Sequence, residues 1–255
     1  MQTIAGFFPC RALLHRWGNA PYPQCLLCNG AAETVAHSQC LYPALKNARI
    51  AAHHAIAALI LHMLQTHNVC RWQFHPELAV GSLRAIDVPL DLHDAWNRMV
   101  DELDEMDIDD DLTGDENLQA LARLLPDAWA ISWGKRQVLL LELTRAHDWR
   151  EDWASTTDTF KMQRYARLQQ RMQDLLPRGW VVDTVPLTAS AGIRRSLHEP
   201  IWRRILERFG MSSKTTQDLV FQDLTRQALE ELDRMYGVRS EALRQQHAGP
   251  DDRRS

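Results

Sequence analysis

No stretch of this 255-residue chain carries the roughly 18 consecutive apolar residues that a membrane-spanning helix needs, and residues 1–9 lack the basic start of a secretory leader. Neither membrane insertion nor secretion is expected. Cysteine is scarce and odd in number, five in all, with four inside the first 40 residues. Such a set does not suit a disulfide framework; it suits metal binding in a reducing compartment. An overall positive charge is also missing. The formal net charge is -4, which is unpromising for an acidic partner, but the mean hides an asymmetry along the chain. No internal repeat is visible.

What is present suffices for a folded core: 45% of residues are hydrophobic and 24% charged, enough for one large domain and one small one. After the proline-punctuated cysteine region, residues 43–67 run through alanine, isoleucine and leucine as one long helix, with Pro43 in its first turn. A second helix is expected over 92–106, leading into an acidic, solvated loop at 107–116. Residues 127–133 and 137–144 read as the two strands of a hairpin around Gly134-Lys135. Helical periodicity returns over 153–176 and a valine-rich strand follows at 180–187. Two further helices are expected at 200–209 and 215–236. The fold class is therefore α+β (mixed α/β). Its parts are a small metal-binding and helical region (1–70), an α/β core (71–210), a C-terminal helix (211–240) and a disordered polar tail (241–255).

Cys25 and Cys28 form a CxxC, eight residues follow, and then come His37 and Cys40 in HxxC, with Asn29-Gly30 supplying a turn. Four soft or borderline ligands in two close pairs are what tetrahedral zinc requires. With every position filled by protein, the metal would be structural and its binding would contribute to folding. Cys10 is an alternative ligand. His53 and His54, on the following helix, are adjacent and point to different faces, so they are left out of the cluster.

Glu142 lies inside the apolar strand LLLELT, and a charge there demands explanation. If Gly134-Lys135 forms a type II′ turn, Trp133 faces Arg136, and counting outward sets Asp127 directly opposite Glu142 on one face. Two carboxylates so placed repel unless one is protonated or a cation lies between them, which makes a Mg²⁺ site a natural explanation. The ordinary alternative is strand capping by Asp127 and pairing of Glu142 with Arg136 or Arg145. Lys161 and Tyr165 share a face of the next helix at i and i+4 and could lean over the pair. From Lys161 to Phe209 the chain is basic, with Arg164, Arg167, Arg171, Arg178, Arg194, Arg195, Arg203, Arg204 and Arg208 interleaved with Trp180 and Trp202. That pattern suits phosphate contacts and base stacking.

The order CLLC, HSQC, RLLPDAW, LLLELTRAHD and FKMQRY resembles the C-terminal region of reverse transcriptases from non-long-terminal-repeat retrotransposons, where a CCHC zinc knuckle precedes a restriction-like endonuclease of the PD-(D/E)xK class. The resemblance spans about residues 25–186. It implies a restriction-endonuclease-like core in which Asp127 and Glu142 ligate Mg²⁺ or Mn²⁺ and Lys161, with Tyr165 nearby, completes the active site. The commoner nucleases of this class carry the lysine two residues after the acid, where Thr144 stands here; the retrotransposon enzymes move it to the next helix. An upstream acid, Glu102 or Glu105, is a further candidate ligand. The polymerase is missing from this chain, so no RNA copying is expected of it.

The function so implied is metal-dependent nicking of target DNA, with RNA as a second possible partner, a reverse transcriptase domain as the missing neighbour, and residence in the nucleus or otherwise the cytoplasm. The alternative is a catalytically inactive, zinc-containing nucleic-acid-binding fragment, decayed or domesticated. A third is a plain interaction domain in which the acids pair with arginines.

Overall fold

In the computed structural model, residues 10–28, 30–34, 37, 45–67, 70–105, 121–145, 151–189 and 199–247 are described. They form an α+β fold. A short helix α1 (Arg11–Arg16) is followed by the long α2 (Lys46–Thr66), then strand β1 (Gln73–Pro76), α3 (His93–Glu105), β2 (Ala128–Ser132), β3 (Gln137–Arg145), α4 (Glu151–Leu175), β4 (Val181–Ala189), α5 (Glu199–Arg208) and α6 (Lys214–His247). The sheet runs β1-β2-β3-β4. β2 pairs antiparallel with both β1 and β3, whereas β3 and β4 are parallel and joined through α4. Parallel neighbours need such a crossover.

Helices cover both faces. Ala128, Ala130, Leu139, Leu141 and Leu143 pack on one side with Ile56, Ile60 and Leu64 of α2 and with side chains of α5 and α6. Each of those three α2 side chains stabilises by about 1.5–3 kcal/mol relative to exposure. Trp129, Ile131, Val138 and Leu140 face the other side, against Trp96 and Met99 of α3 and Tyr165, Leu168 and Met172 of α4. Coverage on both faces is why β3 reads as an almost unbroken apolar run. By alternation along β3, Glu142 falls on the α4 side.

Three features differ from the sequence reading. β1 was not anticipated, because four residues ending in a proline give too short a pattern, though Pro76 at the end of an edge strand is well tolerated. The hairpin turn is not type II′. It occupies Trp133–Arg136, the amide of Arg136 donates to the Trp133 carbonyl at 3.2 Å, and the left-handed residue is Arg136 (φ 53) rather than Gly134. This is a four-residue loop built on an i to i+3 bond. Finally, α6 continues to His247, into the stretch read as a disordered tail. Beyond Gly237 its residues are mostly good helix formers, and Arg239 is buried in an ion pair with Glu33. The acidic loop at 107–116 lies outside the described residues. No described helix is long and apolar enough to cross a membrane.

Candidate active site and candidate metal centre

The altered turn leaves the register intact. Ser132 pairs with Gln137 and Ala128 with Leu141, so one step further along both strands Asp127 stands opposite Glu142. Asp127 precedes β2, and its backbone is braced by the residue after β1, since the Glu77 amide donates to its carbonyl at 3.2 Å. Glu142 sits within β3 with only 4% of its side chain exposed.

Lys161 reaches this pair from α4. Its Nζ lies 2.8 Å from Oε2 of Glu142 and 3.7 Å from Oδ2 of Asp127, and it also donates to the Leu143 carbonyl. Tyr165, one turn on, is fully buried and donates to the Leu125 carbonyl at 3.1 Å. Burial and the adjacent Glu142 push its phenol above the ordinary value, so it stays protonated and keeps a hydrogen to donate. Asp127 Oδ2 accepts from the Leu143 amide at 2.5 Å, while Oδ1 lies 3.0 Å from Nε2 of His53. Burial favours the neutral acid. The His53 hydrogen bond and charge, the Lys161 charge and the Leu143 amide outweigh it and hold Asp127 below the usual carboxylate range.

The structure thus brings Asp127, Glu142, Lys161 and Tyr165 together, and Glu142 pairs with Lys161 instead of Arg136. Among the described residues, no hydrogen bond or ion pair joins Glu102 or Glu105 to them. Thr144, two residues beyond Glu142, is buried with a hydroxyl that finds no partner among the described residues. His53 is the member that the sequence reading set aside. One signal pointed to it: with Ile56, Ile60 and Leu64, which are buried, it falls on one stripe of α2 at i, i+3, i+7 and i+11, so it had to face inward.

The cysteine region closes on itself differently. The Cys25 amide donates to the Ala31 carbonyl at 2.9 Å and the Glu33 amide to the Pro23 carbonyl at 2.8 Å, making a small loop on an isolated bridge between Gln24 and Ala32. Ligand atoms of Cys25, Cys28 and His37 all lie within 4.8 Å of one another, a group that could hold a metal ion. Sγ of Cys28 is 3.4 Å from Nε2 of His37, close to the ~3.5 Å that tetrahedral zinc–sulfur and zinc–nitrogen bonds imply between neighbouring ligands. Burial pushes the Cys25 thiol up, whereas the amides of Gly30 and Ala31 hold the Cys28 thiol below its ordinary value. Cys40 lies outside the described residues. Cys10 is buried elsewhere, beside Leu13 and Tyr236. His53 and His54 are not part of this group; His54 Nδ1 pairs with Glu77 at 2.8 Å.

The basic half resolves unevenly. Trp180 and Trp202 are both core residues, so neither offers a face for base stacking. That expectation failed because their indoles fill the space beneath α3 and α5 instead. Arg203 is tied to Glu199 and Asp218, and Arg208 to Asp183. Arg164, Arg167 and Arg171 remain exposed on α4 and, at i, i+3 and i+7, form one stripe beside Lys161. No protein-family model matches the chain, and no curated protein matches it.

Proposed function

We propose that this chain is the zinc-knuckle and restriction-like endonuclease portion of a non-long-terminal-repeat retrotransposon reverse transcriptase, a divalent-metal-dependent nuclease that nicks DNA and works in the nucleus. The observation that carries the reading is the meeting of Asp127, Glu142 and Lys161 at one end of the β2–β3 pair. Two carboxylates in a largely water-excluded niche form an oxygen donor set of the kind that suits Mg²⁺ or Mn²⁺. Such an ion would polarise the scissile phosphate and lower the pKa of a bound water. Asp127 and Glu142 would hold it; the Lys161 ammonium would offset charge growing on the phosphoryl oxygens. Arg164, Arg167 and Arg171 would follow the backbone of the strand, contributing affinity with little sequence choice. Cys25, Cys28 and His37, with Cys40 as the fourth ligand, would hold structural zinc.

A second reading has its own support. Without any metal, Lys161 already neutralises Glu142, and both oxygens of Asp127 already have hydrogen-bond partners. A self-satisfied site of this kind also fits a zinc-containing nucleic-acid-binding fragment with no chemistry. Supercoiled plasmid separates the two. Metal-dependent nicking lost in Asp127→Ala, Glu142→Ala and Lys161→Ala establishes the nuclease; salt-sensitive DNA binding without nicking establishes the binding fragment.

A further inference from the structure

The hydrogen bond from His53 joins the carboxylate site to α2, an element that contributes none of the four residues assembled above. We propose that His53 is the positioning residue of this site: its Nε2–H fixes Oδ1 of Asp127 while the Leu143 amide fixes Oδ2, so that the carboxylate offers its remaining lone pairs to a divalent cation in a single orientation. This rests on the reading that Asp127 and Glu142 hold such an ion.

Asp127 stands outside the ladder, between Pro126 and the first residue of β2, and a side chain there is not aimed by strand geometry alone. It is clamped from two elements, with 3.0 Å to His53 on α2 and 2.5 Å to the amide of Leu143 on β3. An ionised carboxylate only accepts, so the proton between the two side chains belongs to Nε2. Anchoring α2 does not require this contact. Ile56, Ile60, Met63 and Leu64 are buried from the same helix, whereas the His53 side chain is 30% exposed. An outer hydrogen bond that orients a metal-binding group is worth roughly 10–100-fold in metal affinity. The adjacent residue is a built-in control: His54 makes a similar pair with Glu77 at 2.8 Å, but Glu77 belongs to no carboxylate pair.

The test is Mn²⁺ binding to the zinc-loaded full chain, followed by calorimetry and by the Mn²⁺ electron paramagnetic resonance signal, with no DNA present. His53→Ala should weaken Mn²⁺ about tenfold or more. His53→Gln, whose amide nitrogen can donate to the same oxygen, should recover most of that loss, and His54→Ala should bind as the wild type does. A purely structural role predicts equal losses for Ala and Gln, tracking thermal stability. If Asp127→Ala abolishes binding while His53→Ala leaves it unchanged, or Gln does no better than Ala, the positioning role is wrong and the carboxylate site stands. If Asp127→Ala binds Mn²⁺ like the wild type, the carboxylate reading fails and takes the role of His53 with it.

Discussion

The carboxylate site and the cysteine cluster are built on opposite terms. Asp127 and Glu142 stand on a sheet covered by two apolar layers; Lys161 of α4 offsets one of their two charges, and His53 and the Leu143 amide satisfy Asp127. The fold would stand with no ion bound. Around Cys25 the apolar support among the described residues is slight, Leu45 and the partly buried Leu27, beside a few backbone bonds and Glu33. A core that small gives little stability, so there the ligands must hold the loop. Under the proposed function, a divalent ion would be a guest in one region and a structural member in the other.

Removing zinc should therefore give the largest effect. Chelation, or Cys25→Ser with Cys28→Ser, should release the region around residues 10–45 to proteolysis while the far-ultraviolet signal of the helices packed on the sheet persists. Structural zinc contributes about 10–16 kcal/mol in small knuckles, far more than the local apolar contacts can replace. Stoichiometric zinc in the purified protein, lost together with this protection, is the expected result; protection indifferent to chelator would erase the contrast. Next in size is Arg239→Ala. Glu33 is almost wholly buried and its partner is the Arg239 guanidinium on α6, with 2.8 Å between Nη2 and Oε2. Removing one member of such a pair costs about 3–5 kcal/mol, because the other charge stays buried. Hydrogen exchange should quicken in the cysteine loop and the last turns of α6, with β2 and β3 unaffected.

Legibility followed the same divide. The register that opposes Asp127 and Glu142 was readable because strand alternation leaves one polar residue in an apolar strand, and because a four-residue turn and the anticipated two-residue one give the same pairing. Lys161 and Tyr165 followed from i, i+4 spacing. His53 did not, since it contacts Asp127 across 74 residues of sequence and nothing local says which face of the sheet α2 covers. The continuation of α6 was hidden for a similar reason: Gly237 looks like a stop, and the pairing of Arg239 with Glu33 spans 206 residues. Trp180 and Trp202 misled because an aromatic beside arginines reads alike in a core and on a surface.

Lys161→Ala sharpens the comparison at the carboxylate end. Glu142 then keeps its burial and loses its countercharge, which should cost about 1–3 kcal/mol in the metal-free chain. Mn²⁺ should repair much of this loss by supplying the missing positive charge, so the rise in Tm on adding Mn²⁺ should be greater for the variant than for the wild type. Equal rises would mean that the ion and the ammonium do not share the niche. Zinc chelation should leave that difference in place.

The smallest expected effect concerns His75 on β1, an edge strand of the same sheet. Burial pushes its imidazole below the ordinary value of 6.5, and Nε2 has no partner among the described residues. The folded chain therefore takes up this proton less readily than the unfolded one. As pH falls below about 6.5 the unfolded state gains the proton first, so stability declines until the folded group's own lower pKa is passed, and then the loss levels off. His75→Phe should flatten that part of the profile without touching Mn²⁺ or zinc binding. Thermal melts of both proteins between about pH 8 and pH 5 would show it as a difference that grows only on the acid side. Parallel curves would mean that the edge strand opens enough for water to reach the ring, placing β1 with the loosely held regions instead of with the sheet that carries Asp127 and Glu142.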